Sequence, residues 1–160
     1  MQRRGPKKHP KYSFNMAALF SDQEQALIQK AIEAAERSTS GEIRVCVEKR
    51  CSESALDRAG AYFRKLGMDQ TLQKNGVLIY LALQDKKLAI IGDLGIHQVV
   101  PADFWHTIKE AMLKLFKQGH MADGVVLGIQ MAGEKLRQYF PSISDDQNEL
   151  PDDIVFADGN

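Results

Sequence analysis

Two short apolar runs in the middle of the chain, at residues 77–83 and 88–91, set the pattern around which the other segments are arranged. They flank a polar turn at residues 84–87, are β-branched or aromatic in part, and lack glycine and proline, which predicts the two strands of a β-hairpin. The first run barely alternates between apolar and polar positions. Because a strand that is apolar on both faces is covered on both faces, the pattern predicts a hairpin at the centre of a layered α/β domain.

The segments before the hairpin show helical and strand periodicity in turn. Ser21 and Glu24 have the spacing of a capping box at the start of an amphipathic helix over Asp22–Arg37. Strict alternation then predicts a strand over Glu42–Glu48, and Ser52 or Ser54 precedes a second helix that Gly67 closes. A strand, a helix and a further strand are typical of a parallel pair with a right-handed connection. The antiparallel hairpin partner makes the predicted sheet mixed.

Two more helices follow the hairpin. Pro101 suits the first turn of a helix with a broad apolar face. Asp123 and Gly124 open the next helix or lie within its first turn, and Pro141 ends it. The sequence therefore predicts a three-layer α/β/α sandwich around a small mixed β-sheet.

Length and composition fit one globular domain. The 160 residues are 44% apolar and 26% charged, and no run of about 18 apolar residues that could span a membrane is present. The N-terminus is basic but lacks the apolar core of a secretory signal. Cys46 and Cys51 are so close in the sequence that a bridge between them would force a tight loop, so we expect free thiols. Together these features indicate a reducing, cytoplasmic compartment.

A net charge of zero conceals two tails of opposite sign. Residues 1–11 contain five basic residues and no acid, whereas residues 145–158 contain six acids and no base. A basic head of this kind is suited to contacts with nucleic acid or anionic lipid. Because the body offers no basic stripe to continue such a surface, we favour solvated, disordered tails at 1–19 and 142–160 around a domain at 20–141.

Several common signatures are absent from the sequence. It contains no glycine-rich phosphate loop, no dinucleotide fingerprint, no nucleophile elbow, no HExxH and no CxxC. A nucleophilic cysteine needs an adjacent base, and no histidine is close to either cysteine in the sequence, which favours a buried, inert Cys46. No two histidines have the spacing of a helical zinc site.

Two carboxylates lie where a ligand could approach the backbone. Asp93 follows the second hairpin strand and Asp123 stands at a helix start, each next to glycine. Hard cations such as Ca²⁺ and Mg²⁺ take oxygens from carboxylates and carbonyls in such turns, and ligands collect beyond strand ends in open α/β sheets. Aspartate is also a common turn former and helix cap, so a purely structural role for both residues stays open.

Five short motifs, in this order, resemble the TPM domain over residues 20–141. They are Ser40-Gly41-Glu42-Ile43-Arg44-Val45, Asn75-Gly76-Val77-Leu78-Ile79, Gly92-Asp93-Leu94-Gly95-Ile96, Phe116-Lys117-Gln118-Gly119-His120-Met121-Ala122-Asp123-Gly124-Val125 and Phe140-Pro141. The resemblance implies an α/β/α sandwich with an acidic pocket for a divalent cation. It also implies Asp93 and Asp123 as ligands, with Glu42 and Asp103 as further candidates. Asn75 matches its motif and is equally suited to a turn.

The resemblance leaves the activity open, since some relatives are described as acid phosphatases and others as assembly, repair or accessory proteins. Many members carry a signal peptide and a C-terminal membrane helix or low-complexity tail; this sequence shows neither, so a stand-alone cytoplasmic version is expected. Our leading hypothesis is a domain that binds Ca²⁺ or Mg²⁺ and has a binding or accessory role. Whether its partner is another protein stays open.

Two rival functions remain. The first is a metal-assisted phosphomonoesterase, in which the cation neutralises phosphate oxygens and activates water, and Arg44 or His97 assists. The second is binding to nucleic acid or an anionic surface through the basic tail.

Overall fold

A computed structural model describes residues 20–142 and 154–157 of the chain. The elements, in chain order, are α1 (Asp22–Arg37), β1 (Glu42–Glu48), α2 (Ala55–Lys65), a 3₁₀ turn (Met68–Gln70), β2 (Gly76–Ala82), β3 (Lys87–Gly92), α3 (Leu94–His97), α4 (Phe104–Lys117), α5 (Met121–Tyr139) and β4 (Val155–Phe156). The strands form one mixed sheet in the order β3-β2-β1-β4. β1 runs parallel to β2 and β4, and β2 and β3 form the predicted antiparallel hairpin.

Alternation along the strands divides the core into two halves. The odd-numbered positions of β1 and β2 face α1, α4 and α5, and supply a buried cluster that includes Ile43, Ile79 and Leu136. The even-numbered positions face α2 and the 3₁₀ turn, where Tyr80 and Phe63 lie in a second cluster. Both faces of β1 and β2 are therefore buried, which agrees with the predicted α/β sandwich; for β2, burial on both faces was expected from its nearly continuous apolar pattern.

Local signals fix several helix ends. The Ser21 Oγ accepts from the Glu24 N–H and the Glu24 carboxylate accepts from the Ser21 N–H, so the capping box is formed. Ser54, rather than Ser52, caps α2. α4 begins at Phe104, three residues after Pro101. The short helix α3 is an addition to the sequence prediction, which had placed only a turn after Gly92.

The fourth strand departs from the expectation of a flexible tail over residues 142–160. Val155 and Phe156 pair with Cys46 and Val47 along the outer edge of β1, and the Ala157 N–H donates to the Val47 carbonyl at 3.1 Å. The three apolar residues from Ile154 to Phe156 are buried. A two-residue strand is too short to give a sequence pattern, and its partner edge exists only in the folded sheet. Within the described ranges, no helix is long and apolar enough to cross a membrane.

Candidate cation site

The candidate site lies at the edge of the sheet where β1 and β2 begin and β3 ends. Glu42 pairs with Gly76 across the parallel strands, and Val77 pairs with Gly92 across the hairpin. The Asp93 N–H donates to the Gly76 carbonyl at 2.9 Å. The backbones of Glu42, Asn75 and Asp93 are thus held at one end of three adjacent strands.

The loop before β2 is fixed at this edge by close backbone contacts. A Cβ on Gly95 would lie 2.2 Å from the Gln73 carbonyl oxygen, and the Ile96 N–H donates to the Lys74 carbonyl at 3.3 Å. The Asn75 Nδ2 donates to the Ser40 Oγ at 3.2 Å. The position of Asn75 therefore depends on a neighbouring turn that a side chain at residue 95 would displace.

Two side-chain oxygens at this edge are buried without a hydrogen-bond donor among the described residues, namely the Asn75 Oδ1 and the Asp93 Oδ2. The other carboxylate oxygen of Asp93 accepts at 2.8 Å from the N–H of Leu94, the first residue of α3. Glu42, at the start of β1, is 1% exposed. Buried oxygens without donors are costly in a folded protein unless a ligand or solvent satisfies them.

Asp123 lies at the opposite end of the domain. Near the C-terminus of α5, Leu136 packs against Gly41, beside the candidate site. At the N-terminus of the same helix, Met121 lines a groove with Lys86 of the hairpin turn. Since a helix rises about 1.5 Å per residue, Asp123 is roughly 20 Å along α5 from Leu136. The structure therefore does not bring Asp93 and Asp123 together.

The environment of Asp123 agrees with a surface role. Its side chain is 69% exposed and its Oδ2 lies 4.0 Å from the His120 Nδ1. Asp103 precedes α4. It lies at the same end of the sheet as Asp93, since Trp105 in the first turn of α4 packs against Gly92. Its side chain is exposed and makes no capping hydrogen bond. In residues 20–142 and 154–157, no three His, Cys, Asp or Glu side chains are grouped to hold a metal ion. A cation at the edge would have Glu42, Asp93 and the Asn75 amide.

Of the two residues considered for phosphate chemistry, Arg44 is buried and His97 is exposed. Arg44 is 4% exposed in the middle of β1. His97 is exposed, and its Nδ1 accepts from the Trp105 indole N–H at 3.0 Å. The basic residues 1–11 lie outside the part of the chain that the structure describes, as does most of the acidic tail.

A second polar cluster, which sequence reasoning missed, lies at the other end of β1. The carboxylate of Glu48, fully buried, accepts from the Arg58 Nε at 3.0 Å and Nη2 at 2.7 Å, from the Tyr62 hydroxyl at 2.6 Å and from the Tyr80 hydroxyl. The only sequence signal was Glu48 at the end of the alternating strand, on the face that also carries Arg44 and Cys46. All four side chains satisfy one another, so this cluster is structural.

The ionisation of the cluster follows from burial and hydrogen bonding. Burial by itself raises the pKa of Glu48, but the bonds from Arg58, Tyr62 and Tyr80 outweigh it and lower that pKa. Burial and the Glu48 charge raise the pKa of both tyrosines. Burial also raises the pKa of the nearby Cys46 thiol. This cysteine is free and buried, as predicted.

Comparisons with known proteins agree with this architecture. The sequence profile of the TPM domain matches residues 13–135. The NMR structure of the BA42 protein from the psychrophilic bacterium Bizionia argentinensis is similar at 47% identity and a TM-score of 0.79, covering 85% of this chain and 94% of that one. No match is found among curated proteins.

Two more distant structures share the fold. The N-terminal domain of a P. gingivalis protein is 19% identical with a TM-score of 0.62, covering 78% of this chain and 80% of that one. The N-terminal domain of the cg2496 protein from Corynebacterium glutamicum is 14% identical with a TM-score of 0.61, covering 92% and 93%.

Proposed function

The chain belongs to the TPM domain family, and on that premise we propose that it binds a divalent cation, Ca²⁺ or Mg²⁺, at the sheet edge. The observation that carries the proposal is the pair of buried oxygens, Asn75 Oδ1 and Asp93 Oδ2, which have no donor among the described residues. Carbonyl-type and carboxylate oxygens are the ligands that hard cations prefer.

The ligand set proposed here is narrower than the sequence suggested. Asp93 and Asn75 form its centre, Glu42 adds a second carboxylate at the adjoining strand start, and the remaining positions fall to backbone carbonyls and water. With so few charged ligands, we expect an affinity on the order of micromolar to millimolar. We leave Asp123 out of the set because it lies at the far end of α5, and Asp103 because it is exposed before α4.

The physiological role that fits a weak cation site with few charged ligands is binding or accessory rather than catalytic. The sequence has none of the common nucleophile motifs, and Cys46 is buried with a raised pKa. A reducing, cytoplasmic compartment is supported by the two free, buried cysteines. An accessory role of this kind implies a second protein as partner, which we propose without assigning its binding surface.

Cation binding is tested by titrating CaCl₂ and MgCl₂ into ¹⁵N-labelled protein and following the backbone amides. We expect saturable shifts at residues 73–76 and 92–96, and no shift at 122–125 beyond that of salt alone. Asp93→Asn should weaken binding by about tenfold or more, because it removes the one negative charge on the central ligand. Asp123→Asn is the matched control and should bind as the wild type does. If residues 73–76 and 92–96 stay still at millimolar cation, the proposal fails.

The phosphomonoesterase alternative makes a different prediction. With a model aryl phosphate and Mg²⁺, a binding domain should give the same background rate for wild type and Asp93→Asn, because Asp93 then holds a cation that activates no water. An enzyme would lose at least about a hundredfold with that substitution. A loss of that size would replace the accessory role with a catalytic one.

A further inference from the structure

A groove lies at the end of the sheet opposite the cation site, between the β2–β3 turn and the α4–α5 turn. Its floor is apolar, and its cavity volume of about 550 Å³ falls within the usual range for small-molecule sites. The side chains of the floor are Leu81, Leu83, Leu88, Leu113, Phe116 and Met121.

The helix junction shapes one wall of the groove. A Cβ on Gly124 would lie 2.4 Å from the Phe116 ring, so the missing side chain lets that ring lie against the first turn of α5. Leu81 and Leu88 are buried in the sheet below, whereas Leu113, Phe116 and Met121 are only half-buried. The groove is thus an extension of the core that opens to the surface.

The rim of the groove is basic. Lys86, on the hairpin turn with a φ of 54°, and Lys117, the last residue of α4, are both exposed and line the groove. Lys87 also lines it, but its Nζ donates to the carbonyls of Cys51 at 2.9 Å and Glu53 at 2.7 Å. Lys114 lies on the adjoining surface. None of the described residues that line the groove carries a carboxylate.

Three carboxylates on the adjoining segments do not line the groove. Asp85 accepts from the Cys51 N–H at 2.7 Å, Asp123 lies 4.0 Å from His120, and Glu110, on the adjoining surface, lies 4.0 Å from His106. An apolar floor with two exposed lysines above it is complementary to a molecule with a long apolar chain and one negative end.

We propose that this groove binds a long-chain fatty-acid anion, with its acyl chain along the leucine, phenylalanine and methionine floor and its carboxylate between Lys86 and Lys117. The groove is at the far end of the sheet from Asp93, so this site does not depend on the cation site. It adds a ligand class that the TPM resemblance did not suggest.

The test uses the full chain, ¹⁵N-labelled, titrated with sodium dodecanoate below its micelle concentration. We expect saturable shifts confined to residues 81–88 and 113–121. Lys117→Glu should weaken the affinity about fivefold or more, because an attractive exposed charge becomes repulsive. Lys30→Glu, the same change at an exposed position on α1, should leave the affinity unchanged. Dodecanol should bind more weakly than dodecanoate by a similar factor.

Several results would overturn the proposal. Equal affinity for dodecanol and dodecanoate, or an unchanged affinity of Lys117→Glu, would remove the role of the lysines. Shifts that appear only with anionic phospholipid vesicles, and not with monomeric dodecanoate, would assign the surface to a membrane instead. Displacement of dodecanoate by residues 1–19, detected as a large gain in affinity when they are deleted, would make that segment the natural occupant.

Discussion

Glu48→Gln should lower the free energy of unfolding by about 3–5 kcal/mol, the largest effect that we expect from one conservative substitution in this protein. The glutamine keeps the shape of the side chain but removes the buried counter-charge of the Arg58 guanidinium, which then has only the half-exposed Glu53 carboxylate at 3.4 Å. The NH₂ group of the glutamine is a donor, and it would face the donor groups of Arg58, Tyr62 or Tyr80, so at least one of the present hydrogen bonds is lost. Urea unfolding followed by the fluorescence of Trp105, the one tryptophan, measures the change.

Tyr62→Phe is the matched control for this cluster. It removes one of the hydroxyl donors to Glu48 while the bidentate contact with Arg58 and the Tyr80 bond stay in place. Its cost should be about 1 kcal/mol. A Glu48→Gln variant that is no less stable than Tyr62→Phe would show that the buried charge pair adds nothing beyond its hydrogen bonds.

The pH dependence of the same pair follows from the lowered pKa of Glu48. A carboxylate whose folded pKa lies below its unfolded value of about 4.3 adds stability that is fully present above that value and is lost as the pH falls through the folded pKa. The difference in stability between wild type and Glu48→Gln should therefore be constant near neutral pH and shrink below about pH 4. A difference that grew on acidification would contradict the assigned direction.

Gly95→Ala should destabilise the protein by about 1–3 kcal/mol and also weaken cation binding. The new Cβ would lie 2.2 Å from the Gln73 carbonyl oxygen and 2.5 Å from that of Lys74, and both atoms belong to the backbone, which cannot turn aside as a side chain can. The loop that carries Asn75 must move to relieve the contact. Chemical denaturation and the calcium titration measure the two effects separately.

Gly60→Ala provides the control, because its Cβ would come no closer than 3.8 Å to another side chain in α2. Alanine has the higher helix propensity, so this variant should gain about 0.5–1 kcal/mol and keep its cation affinity. Equal stabilities of the two variants would mean that the loop before β2 does not approach Gly95 as described.

The candidate site shows where sequence reasoning reached its limit. The turn at Asp93 could be found because strand ends and glycines mark it locally. The pairing of Asp93 with Asp123 could not be decided, because both have the same local signature of an aspartate beside glycine. Their separation depends on the direction of α5, which runs from the hairpin turn to the end of the sheet where β1 and β2 begin. Asn75 is a stronger candidate in the folded chain, because its side-chain oxygen is buried without a donor among the described residues, at the same end of the sheet as Asp93.

The Glu48 cluster, like the candidate site, is formed by residues that only the fold brings together. Its members are 10, 14 and 32 positions from Glu48 in the sequence, and none has a pattern that names the others. The groove likewise lies between two turns that are remote in sequence, the β2–β3 turn and the α4–α5 turn. Such contacts depend on which helix faces cover which strands, and alternation along one strand does not contain that information.

The sequence by itself determined the hairpin, the helices on either side of it, the mixed α/β/α architecture and the membership of the TPM domain family, because periodicity, caps and ordered motifs are local properties of the chain. Only the tertiary structure decided that β4 closes the edge of β1, that Glu48 is neutralised by distant side chains and that Asp123 lies far from Asp93. Each of these depends on the distance between segments remote in sequence, which packing of the helices on the sheet sets.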